Sequence, residues 1–349
     1  MKLIKVFCAA TAGIVAVIMV GGTNSTPVKL QRLDPALDSV IGADATLEKV
    51  AGGYTWTEGP VWMKSGGYLL FADIPGNAIW KFTPGSGATL FMRPSGWNEK
   101  TPFGGKEPGS NGMTADSEGR LTVAGHANRN VWRLEKADAG ATKTILVDHY
   151  QGKRFNSPND LVYRSDGSLY FTDPPYGLAT QLDNDPKKEL TVNGVFFLPG
   201  AARHAPGAPP ANDKLKLIIS DITRPNGIAF SPDEKFLYVD CSDPAKKIWM
   251  KYPVNADGSV GKGVQFADST SAQGEGGPDG MKVDRAGHVL TTGPGGIWIF
   301  SAEGKHLGTL EMPERTANLA FAGKDGKTLY ITASSGLYRT QLKTGGRVP

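Results

Sequence analysis

The stretch SNGMTADSEGRLTVAGHANRNVWRL, residues 110–134, has a layout that five further stretches of the chain share. Each begins with a polar residue and alternating apolar residues, followed by a Gly- or Asp-containing turn, a β-rich strand, another turn and a third strand. The other five are TEGPVWMKSGGYLLFADIPGNAIWKF (57–82), SPNDLVYRSDGSLYFTDPPYG (157–177), RPNGIAFSPDEKFLYVDCSDPAKKIWMKY (224–252), GPDGMKVDRAGHVLTTGPGGIWIF (277–300) and TANLAFAGKDGKTLYITASSGLYRT (316–340). The chain therefore contains six copies of one β-sheet unit.

A fourth strand follows in most of the gaps between these units. The segments are ATLFM (88–92), KTILVD (143–148), LKLIIS (215–220), GVQFAD (263–268) and KHLGTL (305–310). Four-stranded units that repeat about every 40 to 65 residues are typical of propeller blades. The sequence thus predicts an all-β fold, a six-bladed β-propeller with four-stranded blades.

The two ends of the repeat series predict how the ring closes. The last unit has no fourth strand after it, whereas TLEKVA (46–51) precedes the first unit and has no unit of its own. We expect this strand to be the outer strand of the last blade, so that residues 46–345 form a single domain preceded by an extension, 23–45. The Pro- and Ala-rich insertion 176–213 is interpreted as a surface segment, either a disordered loop or a lid or wall over a pocket.

The first 22 residues have the pattern of an export signal. Lys2 and Lys5 precede an apolar run from Val6 to Val20, which is short for a membrane span of about 20 residues. We predict a signal peptide, 1–22, cleaved near Gly22, and a periplasmic or secreted protein. An uncleaved membrane anchor is the alternative.

Charge and cysteine content narrow the range of partners. Cleavage would remove Lys2 and Lys5 and no acidic residue, which lowers the formal net charge from +4 to +2. A net charge this small does not indicate binding to nucleic acid or to an anionic surface. Only Cys241 would remain, so no intramolecular disulfide forms. We expect a small-molecule partner, no nucleic acid, no stable membrane association after cleavage, and a monomer or weak dimer.

Oxygen-bearing side chains recur at equivalent positions of the units, just before the innermost strand, where blades converge on the central channel. They are Glu58, Asn111, Asn159, Asn226 and Asp279. One such residue alone is usually a turn former, but five equivalent ones predict a site. Two carboxylates and several amide carbonyls, without matching Cys or His, suit Ca²⁺. We expect one central divalent cation, Ca²⁺ before Mn²⁺, Mg²⁺ or the disfavoured Zn²⁺.

The starts of the units resemble those of a known family. EGPVW, SNGM, NSPNDLV, RPNGIAFSPD and PDGMKVD, together with YFTDPPYG, are similar to the senescence-marker-protein/gluconolactonase (regucalcin-like) family of calcium-dependent six-bladed propellers, over roughly residues 50–340. The resemblance implies a gluconolactonase-like hydrolase that acts on the carboxylic ester bond of lactones.

The resemblance also implies roles for individual residues. The implied metal ligands are Glu58, Asn159, Asn226 and Asp279, of which Asp279 is also the implied catalytic base. Asn159 and Asn111 would contact substrate. His126, in AGHANRN after a second strand, is a further substrate-binding candidate because it would overhang the channel mouth.

Two other functions fit the same residues. A calcium propeller with this oxygen set could hydrolyse phosphotriesters or fluorophosphates. The ion could instead be structural, in a non-catalytic exported propeller that binds a protein or polysaccharide.

Overall fold

The computed structural model describes residues 25–349. Six antiparallel sheets form the blades of the propeller. The innermost strands contact one another in a closed cycle from blade 1 to blade 6 and back to blade 1. This confirms the predicted six-bladed propeller. The predicted export signal, 1–22, lies outside the described residues.

In blades 1 to 3, four consecutive strands lie side by side from the channel outward. Blade 1 contains Thr57–Met63, Tyr68–Asp73, Ala78–Thr83 and Gly87–Met92. Blade 2 contains Met113–Ala115, Leu121–Gly125, Asn130–Leu134 and Lys143–Val147. Blade 3 contains Leu161–Tyr163, Leu169–Asp173, Gly194–Leu198 and Lys216–Ile219.

Blades 4 and 5 follow the same order, and blade 6 takes its fourth strand from the start of the chain. Blade 4 contains Pro225–Phe230, Phe236–Asp243, Lys246–Pro253 and Val264–Asp268. Blade 5 contains Met281–Val283, Val289–Gly293, Gly296–Phe300 and His306–Glu311. Blade 6 contains Thr316–Ala322, Thr328–Ala333, Gly336–Gln341 and Thr46–Gly52. The last pairing, Gly336–Gln341 with Thr46–Gly52, confirms the predicted ring closure.

The N-terminal extension adds a fifth strand to two blades. Ser25–Pro27 pairs with Thr46–Gly52 at the edge of blade 6, and Lys29–Arg32 pairs with His306–Glu311 at the edge of blade 5. Blades 5 and 6 therefore have five strands instead of the predicted four.

The remaining elements are short. They are the strand pair His149–Tyr150 and Lys153–Arg154 and the 3₁₀ turns Pro35–Ser39, His126–Asn128, Ala201–Arg203 and Asn212–Lys214. Within residues 25–349, no helix has the length and apolar character needed to span a membrane.

The apolar core is divided among the blade interfaces. Each of the six buried clusters joins side chains from two neighbouring blades, for example Leu70 of blade 1 with Val123 of blade 2, and Leu290 of blade 5 with Leu319 of blade 6. Both faces of each sheet are covered in this way, which explains why strands such as Tyr68–Asp73 are buried at every position. The facing sides of blades 6 and 1 are covered only because the ring closes.

The predicted insertion 176–213 consists of two segments at opposite ends of blade 3. The third strand, Gly194–Leu198, divides it. We call residues 174–193, at the end where the innermost strands begin, the wall segment. Residues 199–215 lie at the other end, where Ala201 and Ala202 accept hydrogen bonds from the Arg133 guanidinium.

Candidate active site

The structure brings all five predicted oxygen-bearing residues to one end of the channel, and Asn318 of blade 6 lies beside them, at the position equivalent to Asp160. We call these six the head residues: Glu58, Asn111, Asn159, Asn226, Asp279 and Asn318. Five of them are buried, with at most 5% of each residue exposed, and Asp279 is half-buried. The channel mouth is therefore lined by oxygen atoms from all six blades.

Irregularities in strand pairing set the direction of three of these side chains. A register shift between Glu58 and Val61 interrupts the ladder in blade 1, and equivalent shifts occur at Asn226 in blade 4 and Asn318 in blade 6. Such bulges redirect a side chain next to the ladder and are frequent beside active sites. The Glu58 bulge requires Gly59, which has φ +51° and whose Cβ would overlap the carbonyl oxygen of Asn111.

Hydrogen bonds between neighbouring blades hold the head residues in place. The Gly112 N–H donates to the Asn159 carbonyl at 2.7 Å, and the Thr172 hydroxyl donates to the Asn226 carbonyl at 2.7 Å. The Gly280 N–H donates to the Ala317 carbonyl at 2.8 Å. The geometry of the channel mouth is therefore set by the packing of the whole ring.

Burial and neighbouring carboxylates raise the pKa of the two carboxyl groups at the mouth. Burial raises the pKa of Glu58 to about 8, against a hydrogen bond from the Gly59 N–H, and the charge of Asp160 adds to the increase. Burial and the charge of Glu58 raise the pKa of Asp279 well above its usual range. Negative charge is thus concentrated where solvent stabilises it poorly, an arrangement that favours a bound cation.

The amide groups supply oxygen atoms that no protein group satisfies. Asn111 Oδ1 and Asn226 Oδ1 are buried without a hydrogen-bond partner, as is Asp240 Oδ2 below the mouth. Unpaired buried acceptors are rare and call for a missing ligand. Across residues 25–349, no three His, Cys, Asp or Glu side chains converge on a common point. The residues thus fit a hard cation held by carboxylate and amide oxygens together.

His126 lies beside this mouth, but it is fully buried. Its Nε2 lies 2.8 Å from Glu107 Oε2, and its Nδ1 lies 3.3 Å from the carbonyl oxygen of Pro158. Gly177 packs on the ring face, where a Cβ would approach Cδ2 to 2.7 Å. The structure pairs the buried His126 ring with Glu107, and a substrate contact by His126 stays a prediction.

The wall segment forms one side of the mouth. The Tyr176 hydroxyl lies 2.7 Å from Ser242 Oγ, and Asn226 Nδ2 lies 3.4 Å from the same Ser242 Oγ. The Arg224 guanidinium stacks over the Tyr176 ring at 5.4 Å. The segment is thus attached to blade 4 and is an ordered wall in the structure.

Two residues of the mouth were not predicted from the sequence. Asn318 lies one residue after the equivalent position of the sixth unit, because in TANLAF the residue equivalent to Asn159 is Ala317 and Asn318 is equivalent to Asp160. Glu107 lies in the connection between blades 1 and 2, which has no counterpart in the other units. No repeat-based signal points to it.

The fold and the site together define a six-bladed propeller with a cluster of oxygen-bearing side chains at one end of its channel. Residues 56–335 match the SMP-30/Gluconolactonase/LRE-like region. The chain belongs to this family, as its resemblance predicts.

Individual relatives agree with this assignment. The chain is 39% identical to the gluconolactonase of Zymomonas mobilis over 330 residues, which cover 93% of this chain and 88% of that protein. The structure of a gluconolactonase from Xanthomonas campestris superimposes with a TM-score of 0.75 at 29% identity and covers 91% of this chain and 97% of that chain. Regucalcin from Agrobacterium tumefaciens, described as a calcium-binding protein, shares the fold with a TM-score of 0.64 at 20% identity, over 85% of this chain and 96% of that chain.

Proposed function

We propose that this protein is a divalent-cation-dependent hydrolase that opens the ring of a polar, gluconolactone-type lactone. The observation that carries the proposal is the set of head residues, in which two carboxylates and unpaired amide oxygens meet at the channel mouth. Membership of a family whose curated relative is a gluconolactonase supports the choice of substrate.

Glu58, Asn159, Asn226 and Asp279 would hold the cation, for which Ca²⁺ is the best match among Ca²⁺, Mn²⁺ and Mg²⁺. A bound Ca²⁺ would neutralise the two carboxylates and supply a positive charge that polarises the lactone carbonyl. The unpaired Asn226 Oδ1 and the raised pKa of Glu58 support this ligand set.

The chain's own residues would then orient and deprotonate the reactants. Asp279 is the more exposed of the two carboxylates, so it can accept the proton of the attacking water. Asn111, with an unpaired side-chain oxygen, would accept a hydrogen bond from a substrate hydroxyl. Asn159 would contact the substrate from the neighbouring blade.

A substrate panel tests the proposed reaction. Purified protein with Ca²⁺ is mixed with sugar lactones, acyclic esters, a phosphotriester and a fluorophosphate, and acid release is followed in a pH-stat. We expect the sugar lactones to be hydrolysed faster than the other classes of compound. Faster release from the phosphorus compounds would favour the phosphotriesterase alternative, and no release from any compound would favour a binding propeller.

We also propose that the protein is exported after cleavage near Gly22 and acts as a monomer or weak dimer. Lys2, Lys5 and the following apolar run support export. The intact mass of the exported protein tests this proposal. A membrane-bound product that retains residues 1–22 would contradict it.

A further inference from the structure

Glu107 and His126 form a hydrogen-bonded pair beside the head residues that no step above uses. Glu107 Oε2 lies 2.8 Å from His126 Nε2, and Glu107 Oε1 accepts a hydrogen bond of 2.9 Å from the Gln181 side-chain amide. Gln181 adopts a left-handed backbone conformation, with φ 61°. A non-glycine residue held in this conformation is often found at a functional site.

The geometry places a shared proton between the two side chains. The Pro158 carbonyl can only accept, so a hydrogen bond to it at 3.3 Å requires a hydrogen on His126 Nδ1. Nε2 then either carries a second hydrogen and donates to Glu107, or accepts one from a protonated Glu107. In both cases, one proton lies between Oε2 and Nε2.

The two members of the pair differ in access to the mouth. The His126 side chain is 0% exposed and that of Glu107 is 22% exposed. The Gln181 side-chain amide donates to Glu107 Oε1 at 2.9 Å and to the Tyr176 carbonyl at 3.1 Å, and the Tyr176 hydroxyl lies 2.7 Å from Ser242 Oγ, so Glu107 lies against the wall segment of the mouth. Glu107 is therefore the accessible member of the pair, whereas the His126 side chain is fully buried.

We propose that Glu107 is the general acid that protonates the leaving oxygen of the lactone, and that His126 is a positioning residue that holds the proton from which Glu107 is recharged. This inference rests on the proposed lactone hydrolysis. It accounts for protonation of the leaving oxygen, which Asp279, as the base, does not provide.

The step balances as follows. The oxygen of water bonds to the lactone carbonyl carbon, and its proton passes to Asp279. When the tetrahedral intermediate collapses, the bond between that carbon and the ring oxygen breaks, and the ring oxygen keeps the electron pair and takes the proton of Glu107. The product is an open hydroxy acid. Glu107 then takes the proton held by His126, and proton transfer through water from Asp279 restores the pair, so that all three groups return to their starting states.

Leaving-group dependence tests the role of Glu107. A general acid matters most when the leaving oxygen is a strongly basic alkoxide and little when it is a phenolate, whose conjugate acid has a pKa of about 10. We expect Glu107→Gln to slow hydrolysis of glucono-δ-lactone by about 10²–10⁴-fold and that of the aryl lactone dihydrocoumarin by less than about 10-fold. Glu118→Gln, at an exposed turn at the opposite end of blade 2, is the matched control and should change neither rate.

Equal slowing of both lactones by Glu107→Gln would overturn the proposal while leaving the proposed lactone hydrolysis intact. If the wild type hydrolyses neither lactone, the proposed function itself fails. Calorimetric titration with Ca²⁺ and the melting temperature of each variant check that site and fold persist. His126→Gln should show the same selective loss on glucono-δ-lactone, smaller than for Glu107→Gln, and equal loss on both lactones would reduce His126 to a structural residue.

Discussion

Glu58 and Asp279 occupy equivalent positions in blades 1 and 5, but their surroundings differ. Glu58 is 2% exposed, and its Oε2 accepts the Gly59 N–H at 2.8 Å. Asp279 is half-buried, with no side-chain hydrogen bond within the described chain. This difference supports the proposal that Glu58 only holds the cation, whereas Asp279 both holds the cation and accepts a proton.

Substitution of the two carboxylates separates these roles. Glu58→Gln should weaken Ca²⁺ binding, so that added Ca²⁺ restores part of the lactone hydrolysis rate. Asp279→Asn keeps an amide oxygen for the cation but removes the base, so the rate should fall by about 10²–10⁴-fold at every Ca²⁺ concentration. Calcium titration of the rate, with metal content measured separately, distinguishes them. Near-normal turnover of Asp279→Asn at saturating Ca²⁺ would refute the role of Asp279 as base.

At the residue scale, the sequence predicts those positions that the repeat makes equivalent. Glu58 and Asn226 could be identified because each lies at the start of an innermost strand, as its second residue rather than just before it as predicted, and the fold alone brings such positions together. Glu107 could not be identified in this way, since it reaches the mouth through a connection unique to one pair of blades. The burial of His126 also depends on a distant segment, through its contact with Gly177.

Among the elements, the wall segment depends on the carboxylate that ends the second strand of blade 3. Asp173 is fully buried and accepts the N–H groups of Asn156 and Ser157 at 2.8 and 2.7 Å. The Ser157 hydroxyl in turn accepts the Gly177 N–H at 2.8 Å. One side chain therefore connects the strand, the Asn159 head and the wall.

Removal of this carboxylate should destabilise the protein. Asp173→Ala leaves two buried N–H groups unpaired, and we expect the free energy of unfolding to fall by about 2–5 kcal/mol. Chemical denaturation measures the change, with Asp213→Ala, an exposed aspartate, as the control. An effect no larger than that of the control would show that Asp173 does not anchor these segments.

The elements also show where periodicity was insufficient. The strand Gly194–Leu198 lies inside the predicted insertion, although the turn-forming dipeptides Asn193-Gly194 and Pro199-Gly200 mark its two ends. Pairing with Leu169–Asp173 makes it a strand. That pairing is a tertiary contact, which local sequence does not encode.

For the whole molecule, stability depends on joining the two ends of the chain. Thr46–Gly52 closes blade 6, and the preceding turn inserts Leu37 between blades 5 and 6. The sequence predicts the closing strand from the count of strands. Residues 25–45 are predicted only as an extension, although Leu37, Val40 and Ile41 have helical spacing and are all fully buried in the structure.

Two leucines of this extension provide a matched test. Leu37 is 0% exposed and Leu33 is 52% exposed. We expect Leu37→Ala to lower the free energy of unfolding by about 2–5 kcal/mol, and Leu33→Ala to change it by less than about 0.5 kcal/mol. Similar values for both variants would mean that the extension does not pack as the structure describes.

The central claim is that the six blades create one cation-dependent hydrolytic site at the channel mouth. Its most direct test is the rate of glucono-δ-lactone hydrolysis by protein stripped with a calcium chelator, verified as metal-free, and then reloaded. We predict that the stripped protein is inactive and that Ca²⁺ restores the rate. Full activity of the metal-free protein, or restoration by Zn²⁺ alone, would contradict the proposed site.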